Sequence, residues 1–398
     1  MEKKPVIRFR EFTEEWKKIK FGDLYVVNQE RNTQLMGYEN TFSIATMTYK
    51  NEGNGASDDS LSNYKVLRMG DIAFEGHQNK EFRYGRFVLN DVGNGIMSPR
   101  FTALRPIKDM PIQFWKYYIH DERIMRDKLV RSTKAGTMMN ELVSLEFLNQ
   151  DVLVPEIEEQ VQIGAFLCFI DNLIALYQKN YDKADAIKKS MLDKLFPQGD
   201  AKVPAIRFEG FAGDWEKKPL GAIVIPYSDP VEVPHNGYER LGIRSHGKGV
   251  FHEYVEAGKE ITTAQLHRVA AHNFIVNITF AWEHAVAVTC DSDAGKLVSH
   301  RFPQFSMADG IHDQFLKYLI LDARFCHHLL LSSPGGAGRN RVLKIPEMLE
   351  YEMMIPDIEE QKQIADYLNS LDELIELYRI RIEKLKNIKA ACLQGMFV

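Results

Sequence analysis

Residues 155 to 163 are PEIEEQVQI and residues 356 to 364 are PDIEEQKQI. In both phrases a proline stands before a first turn rich in carboxylates: Glu156, Glu158 and Glu159 in one, Asp357, Glu359 and Glu360 in the other. Proline loses nothing at a helix start, and acidic side chains there complement the positive end of the helix dipole. Each phrase therefore opens a helix. Behind the first, Ile163, Leu167, Ile170, Ile174 and Tyr177 alternate spacings of four and three; behind the second, Ile364, Leu368, Leu371, Ile375 and Tyr378 do the same. That is a heptad seam, and it runs on through each helix to a matching lysine, Lys188 and Lys389. A lysine in a seam either sets register or snorkels to its edge, and snorkelling is favoured.

Working outward, the rest of the chain is also duplicated. IRFREFTEEWKKIKFGDL (residues 7 to 24) aligns with IRFEGFAGDWEKKPLGAI (residues 206 to 223) at an offset of 199, and SPRF at 98 to 101 aligns with SHRF at 299 to 302 at an offset of 201. Each copy runs from an aromatic leading segment through short strands, such as FSIATMTY, DIAFE and GRFVL, to a helix, a Ser/Gly loop and a long terminal helix. A helix is predicted from Pro111 in the first copy, and a single helix from about Ile311 to Leu331 in the second. The breaker-rich FPQGD at 196 to 200 ends the first copy.

The predicted fold class is α+β. A globular domain over residues 1 to 154 is followed by a long helix over 155 to 199, a second domain over 200 to 355 and a second helix over 356 to 398. The helices are expected to pack antiparallel as a coiled coil about an internal pseudo-twofold axis, holding two modules apart or merely stabilising them.

Composition excludes several classes. With 45% hydrophobic and 26% charged residues the chain is neither disordered nor fibrous. The longest apolar run, Ile163 to Ile170, is far short of a membrane span, which points to the cytoplasm. Its four cysteines form no CxxC pair, and its histidines show no HExxH spacing; no metal site is expected, and His327 and His328 are assigned to packing or the polar surface. GGAGRN at 335 to 340 lacks the lysine and spacing of a phosphate-binding loop. PDIEEQK superficially suggests a metal-dependent nuclease, but its carboxylates lie in a heptad helix and the first copy has no lysine there. No catalytic residue is assigned.

The net charge of −5 hides local basic stretches. Between Arg100 and Lys134 nine basic residues, including Arg105, Lys116, Arg123 and Arg131, face four acids; from Phe315 to Lys344, Lys317, Arg324, Arg339, Arg341 and Lys344 face Asp322 alone. Basic residues also interleave with aromatics in NKEFRYGRF (79 to 87: Lys80, Arg83, Arg86) and IRSHGKGVF (243 to 251: Arg244, His246, Lys248). Such stretches suit contacts to phosphates and base edges, although each alone could equally be a solvated hairpin. The candidate DNA-contacting residues are these, with Arg100, Arg131, Lys134, Arg301, Arg339 and Arg341.

The leading segments, the P-x-I-E-E-Q helix starts, the phrases GIMSPRF, SHGKGVF and FAWEHAVAV, and the order domain, helix, domain, helix together resemble the DNA-specificity subunit of type I restriction-modification systems. The resemblance covers essentially the whole chain. It implies a non-catalytic subunit whose two target-recognition domains each read half of an asymmetric, split duplex sequence. It also implies two modification subunits that bind S-adenosylmethionine and methylate adenine, and two restriction subunits that use ATP and Mg. No Asn-Pro-Pro-Tyr type motif occurs here, in keeping with that division of labour. One departure is that the Ser/Gly loops STKAGTMMN and SSPGGAGRN differ between copies. A coiled-coil scaffold that never touches DNA and a self-sufficient DNA-modifying enzyme are the alternatives.

Overall fold

The structure, a computed structural model, describes residues 4–50, 58–136, 139–260, 265–335 and 341–398. It divides into two compact units, one of Met1–Lys179 with Arg379–Val398 and one of Asn180–Tyr378. Each unit combines one repeat's globular part and helix start with the end of the other repeat's long helix.

In the first unit, strand Lys17–Lys20 pairs antiparallel with Asp151–Val154, tying the leading segment to the residues just before Pro155. A four-stranded antiparallel sheet follows in the order Tyr25–Val27, Thr102–Pro106, Ile72–Glu75, Arg86–Leu89. Arg86–Leu89 alternates half-buried and buried residues, as a strand covered on one face requires, whereas Ile72–Glu75 is buried throughout. FSIATMTY forms only two short strands, Phe42–Ser43 and Thr48–Tyr49, because a turn with Met47 at φ +46° interrupts it. Helices Ile112–Tyr118 and Glu122–Ser132 close the layer, the second capped by the Asp121 carboxylate accepting from the Arg123 amide.

The first unit's core is aromatic. Phe21 stacks on Phe147 at 4.3 Å, and Trp16, Phe114, Trp115 and Tyr118 pack around them. Ile163 and Leu167 enter this core from one long helix, and Cys392, Met396 and Phe397 from the other.

The second unit repeats the plan. Glu216–Pro219 pairs with Glu352–Ile355, and a four-stranded sheet runs Val224–Tyr227, Gln304–Met307, Phe274–Val276, Val286–Val288. It adds a five-stranded sheet edged by the hairpin Tyr238–Ile243 and Val250–Val255. The single helix expected over 311 to 331 is two, Asp313–Leu319 and Ala323–Leu331, because Asp322 caps a new start by accepting from the Arg324 amide at 2.6 Å.

The long helices are Ile157–Lys194 and Ile358–Met396, each with an acidic first turn. Ile163, Leu167, Ile170, Ile364, Leu368 and Leu371 are buried, while Ile174, Tyr177, Ile375 and Tyr378 are half-buried. The start of each seam packs on globular core as well as on helix: a Cβ on Gly164 would lie 2.5 Å from the Phe114 amide nitrogen. In the first unit Asp171 pairs with Lys389 at 2.6 Å and Tyr177 bonds Arg381 at 3.0 Å, so the two segments run antiparallel there. The class is α+β with two long antiparallel helices.

The lysines do not snorkel. Lys389 is held by Asp171, which also accepts from the Tyr117 hydroxyl at 2.7 Å; in the second unit Lys188 is held by Asp372, which accepts from Tyr318 at 2.7 Å. The carboxylate and the ring give each ammonium group a partner inside the seam, where an unpaired charge would be costly. By length and composition Ile157–Lys194 could cross a membrane, since its most apolar window averages a hydropathy of 1.4 without any long unbroken apolar run. Its Ile163 and Leu167 are instead covered by the aromatic core.

Candidate nucleic-acid interface

The repeated phrase supplies the frame on which the loops are mounted. Glu159 is 1% exposed and receives both Arg8 Nε and Nη2 at 2.7 Å; Glu360, also 1% exposed, receives Arg207 at 2.8 and 2.7 Å. Hydrogen bonding to these carboxylates raises the pKa of both arginines. The adjoining glutamines are buried too. Gln160 accepts from the Trp115 indole at 3.1 Å, and Gln361 accepts from the His312 amide at 2.8 Å, so each long helix is bolted to the short helix layer of its unit. Arg123 donates to the carbonyl of Gln394 at 2.9 Å, and Arg324 to that of Pro197 at 3.1 Å, closing the ends of the long helices in the same way.

In the second unit, loops converge on residues 277–284, which follow strand Phe274–Val276. The hairpin tip at 244–249 is tied there by His246 N to Glu283 O at 2.7 Å, Gly247 N to His284 O at 2.9 Å and Ser245 Oγ to Glu283 at 2.7 Å. His246 has φ +63°, a left-handed conformation uncommon outside glycine, and these bonds hold it. His284 donates to the Ile320 carbonyl at 2.7 Å, and burial lowers its pKa; the bond ties the loop to the short helix layer. Ile278 N bonds Arg301 O at 3.0 Å and Leu343 N bonds Ile278 O at 2.8 Å, bringing in two further segments.

Arg244, His246, Lys248, Arg301 and Arg341 thus lie on segments that meet at one place. Arg244 is stacked over Phe251 at 5.3 Å and Arg341 over Trp282 at 5.4 Å, planar cations on aromatic faces. Lys248 and Arg301 are exposed, with no side-chain ion pair among the described residues. A cleft of about 300 Å³ beside them is lined by Arg240, Ser245, Asn277, Phe280 and Glu283. Arg339 lies outside the described residues.

In the first unit the topologically equivalent loop, residues 76–85, carries Lys80 and Arg83 exposed. Arg86 is not available in the same way: it pairs with Glu75 at 3.4 Å, donates to the Ala45 carbonyl at 3.0 Å and lies over Phe82 at 5.0 Å. Lys134, on the ribbon next to Asn140, pairs with Glu141 at 3.2 Å. Arg100 and Arg131 are exposed, but no hydrogen bond among the described residues links them to this loop.

The linear excess of positive charge does not survive folding, because carboxylates neutralise it, some local to the basic residue and others brought in from distant segments. Arg105 bonds Asp71 at 2.8 Å and Glu30 at 2.6 Å, Lys116 bonds Asp91 at 2.6 Å, and Arg123 bonds Asp121. In the second unit Lys317 pairs with Asp372 at 3.4 Å and Lys344 with Glu347 at 2.6 Å. Lys80, Arg83 and Lys248, exposed and without a side-chain ion pair among the described residues, sit on loops between strands. Sequence reading missed the side chains that shape these loops, Asn140, Asn277, Trp282 and Glu283; only the quoted phrase FAWEH marked the last two.

Residues 254–387 match the family described as Type I restriction modification DNA specificity domain. The chain is 23% identical over 400 residues to the "Type I restriction enzyme MjaVIII specificity subunit" of Methanocaldococcus jannaschii, covering 94% of this chain and 90% of that protein. It is 21% identical to the "Putative type I restriction enzyme MjaX specificity subunit" of the same organism, over 83% of this chain and 78% of the other. The crystal structure of a type I restriction-modification S subunit from M. genitalium matches 99% of both chains with a TM-score of 0.58 at 12% identity, a likeness of fold. The resemblance to type I DNA-specificity subunits holds across the chain.

Proposed function

We propose, with that resemblance as premise, that this chain is the DNA-recognition subunit of a type I restriction-modification complex. Each unit reads one half of a bipartite, asymmetric duplex target. Two modification subunits that bind S-adenosylmethionine and methylate adenine assemble on the chain, with two restriction subunits that use ATP and Mg. The chain itself is non-catalytic and works in the cytoplasm.

The observation that carries this reading is a repeated frame with unlike loops. The Arg8 to Glu159 and Arg207 to Glu360 pairs and the lysine, aspartate and tyrosine clusters recur, while residues 76–85 and 277–285 share neither sequence nor side-chain contacts. A duplicated mount holding different tips suits a target whose two halves differ. Lys80, Arg83, Lys248 and Arg301 suit phosphate contacts, whose loss weakens binding to all sequences and lowers the salt slope by about 0.9 per contact.

The test is binding by the full chain, assembled with its modification subunits, to a selected duplex and to a scrambled one at moderate salt. Discrimination of ~10³-fold or more supports the proposal, and equal affinity sinks it. Joint replacement of Arg244 and Lys248 by alanine is expected to weaken binding to every duplex. Unchanged affinity would remove that hairpin tip from the interface.

A further inference from the structure

The loop at 76–85 contains one side chain arranged differently from all its neighbours. Gln78 is exposed, yet its Nε2 donates to Asn140 Oδ1 at 3.0 Å. Asn140 is 7% exposed and pinned at two further points: its amide nitrogen bonds Gly76 O at 2.9 Å, and its Nδ2 donates to Arg83 O at 3.3 Å. The approach at Gly76 is close enough that a Cβ there would sit 2.0 Å from the Asn140 carbonyl oxygen.

A carbonyl can only accept, so Arg83 O fixes which end of the Asn140 amide faces it. Asn140 Oδ1 must then face Gln78, and Gln78 must turn its Nε2 inward. That leaves Gln78 with one N–H and the Oε1 acceptor uncommitted among the described residues. Its neighbours lack this pair. Asn79 spends its Oδ1 on the amides of Glu81 and Phe82, at 2.8 and 2.7 Å, and His77 is held by Glu75 at 2.5 Å.

A primary amide offering one donor beside one acceptor is complementary to the major-groove edge of adenine, which presents N7 to accept and N6 to donate. Holding the side chain in place beforehand reduces the ordering cost of binding. Resting on the proposed DNA-recognition role, we infer that Gln78 is a specificity-determining residue that reads an adenine in one half-site, with Asn140 as its positioning residue. Among the described residues the second unit's equivalent loop holds no such pair: there Asn277 turns its Oδ1 to the Thr279 amide and hydroxyl, at 3.1 and 2.7 Å. The adenine contact belongs to the first unit's half-site alone.

The test is selection from a randomised duplex library by the full chain assembled with its modification subunits, as wild type, Gln78→Ala and Gln78→Glu. Gln78→Ala is expected to relax one A·T position of one half-site by about 5- to 100-fold, leaving the other positions unchanged. Gln78→Glu, which can only accept and so loses its bond to Asn140 Oδ1, is expected to lose the adenine preference at that position, any residual preference going to cytosine, whose N4 donates. Because Gln78 is exposed, both variants should melt with the wild type, and Gln78→Glu provides an independent readout if the alanine variant does not fold. An unchanged motif for both variants, or relaxation at a G·C position, overturns the inference while leaving the DNA-recognition reading intact. Failure of the wild-type complex to enrich any motif overturns that reading, and the inference with it.

Discussion

Glu159 and Glu360 show how differently a residue can behave from its neighbours in a helix's first turn. Spacing marks them as acidic groups at a positive helix end, yet each is almost fully buried and held two-pronged by an arginine 151 or 153 residues away. Removing one partner strands a buried charge. Arg207→Ala is therefore expected to cost ~3 kcal/mol, the low end for a broken buried pair because the guanidinium keeps an edge in solvent. Arg207→Lys should recover only part, since an ammonium cannot match both carboxylate oxygens. Denaturant unfolding of the purified chain measures this, and an unchanged midpoint for Arg207→Ala would show that the pair contributes nothing.

Among the elements, the long helices were legible in outline but not in their polar interior. A lysine in a heptad seam has several solutions, and only the chain brought from elsewhere shows which applies. Here it is an aspartate of the facing helix and a tyrosine of a short helix, in both units. Burial pushes the Asp372 carboxyl up, but hydrogen bonds from Lys188 and Tyr318 outweigh it and set it below the usual carboxylate range. The sign follows: a folded pKa below the unfolded value of about 3.9 adds stability that is present above that pH and lost as pH falls through the lower folded value. Asp372→Asn should therefore lower stability near neutral pH and flatten its decline below about pH 4. Parallel acid profiles for wild type and variant, offset by a constant, would show that Asp372 titrates alike folded and unfolded.

At the scale of the whole molecule, neither repeat is complete by itself. The first unit's core includes Cys392, Met396 and Phe397, and Phe397 meets Phe114 and Tyr118 edge-on at 5.7 and 5.6 Å. In a fragment of residues 1 to 200 these positions are missing, but Met191, Leu195 and Phe196 hold the matching places in the repeat. The fragment is expected to form a homodimer in which each copy supplies the other's missing helix end, and its target, with its partners, should become palindromic. Sedimentation gives the first result and methylation mapping the second. A stable monomer, or methylation confined to an asymmetric site, would break the modular reading.

The sequence by itself determined the duplication, the two long helices, their heptad faces and the α+β class, because repeats and periodicity are linear properties that survive any arrangement in space. It located the loop tips as well, through basic residues set among aromatics. Only the tertiary structure decided which charges are free. Arg105, Lys116 and Arg123 look like a cationic face in the chain and are ion-paired in the fold, while Gln78, unremarked in sequence, acquires its orientation from Asn140 and the Arg83 carbonyl. Apart from Asp121, two residues from Arg123, the partners come from segments tens of residues away. Residue spacing does not encode such pairings; they exist only once packing has brought the segments together.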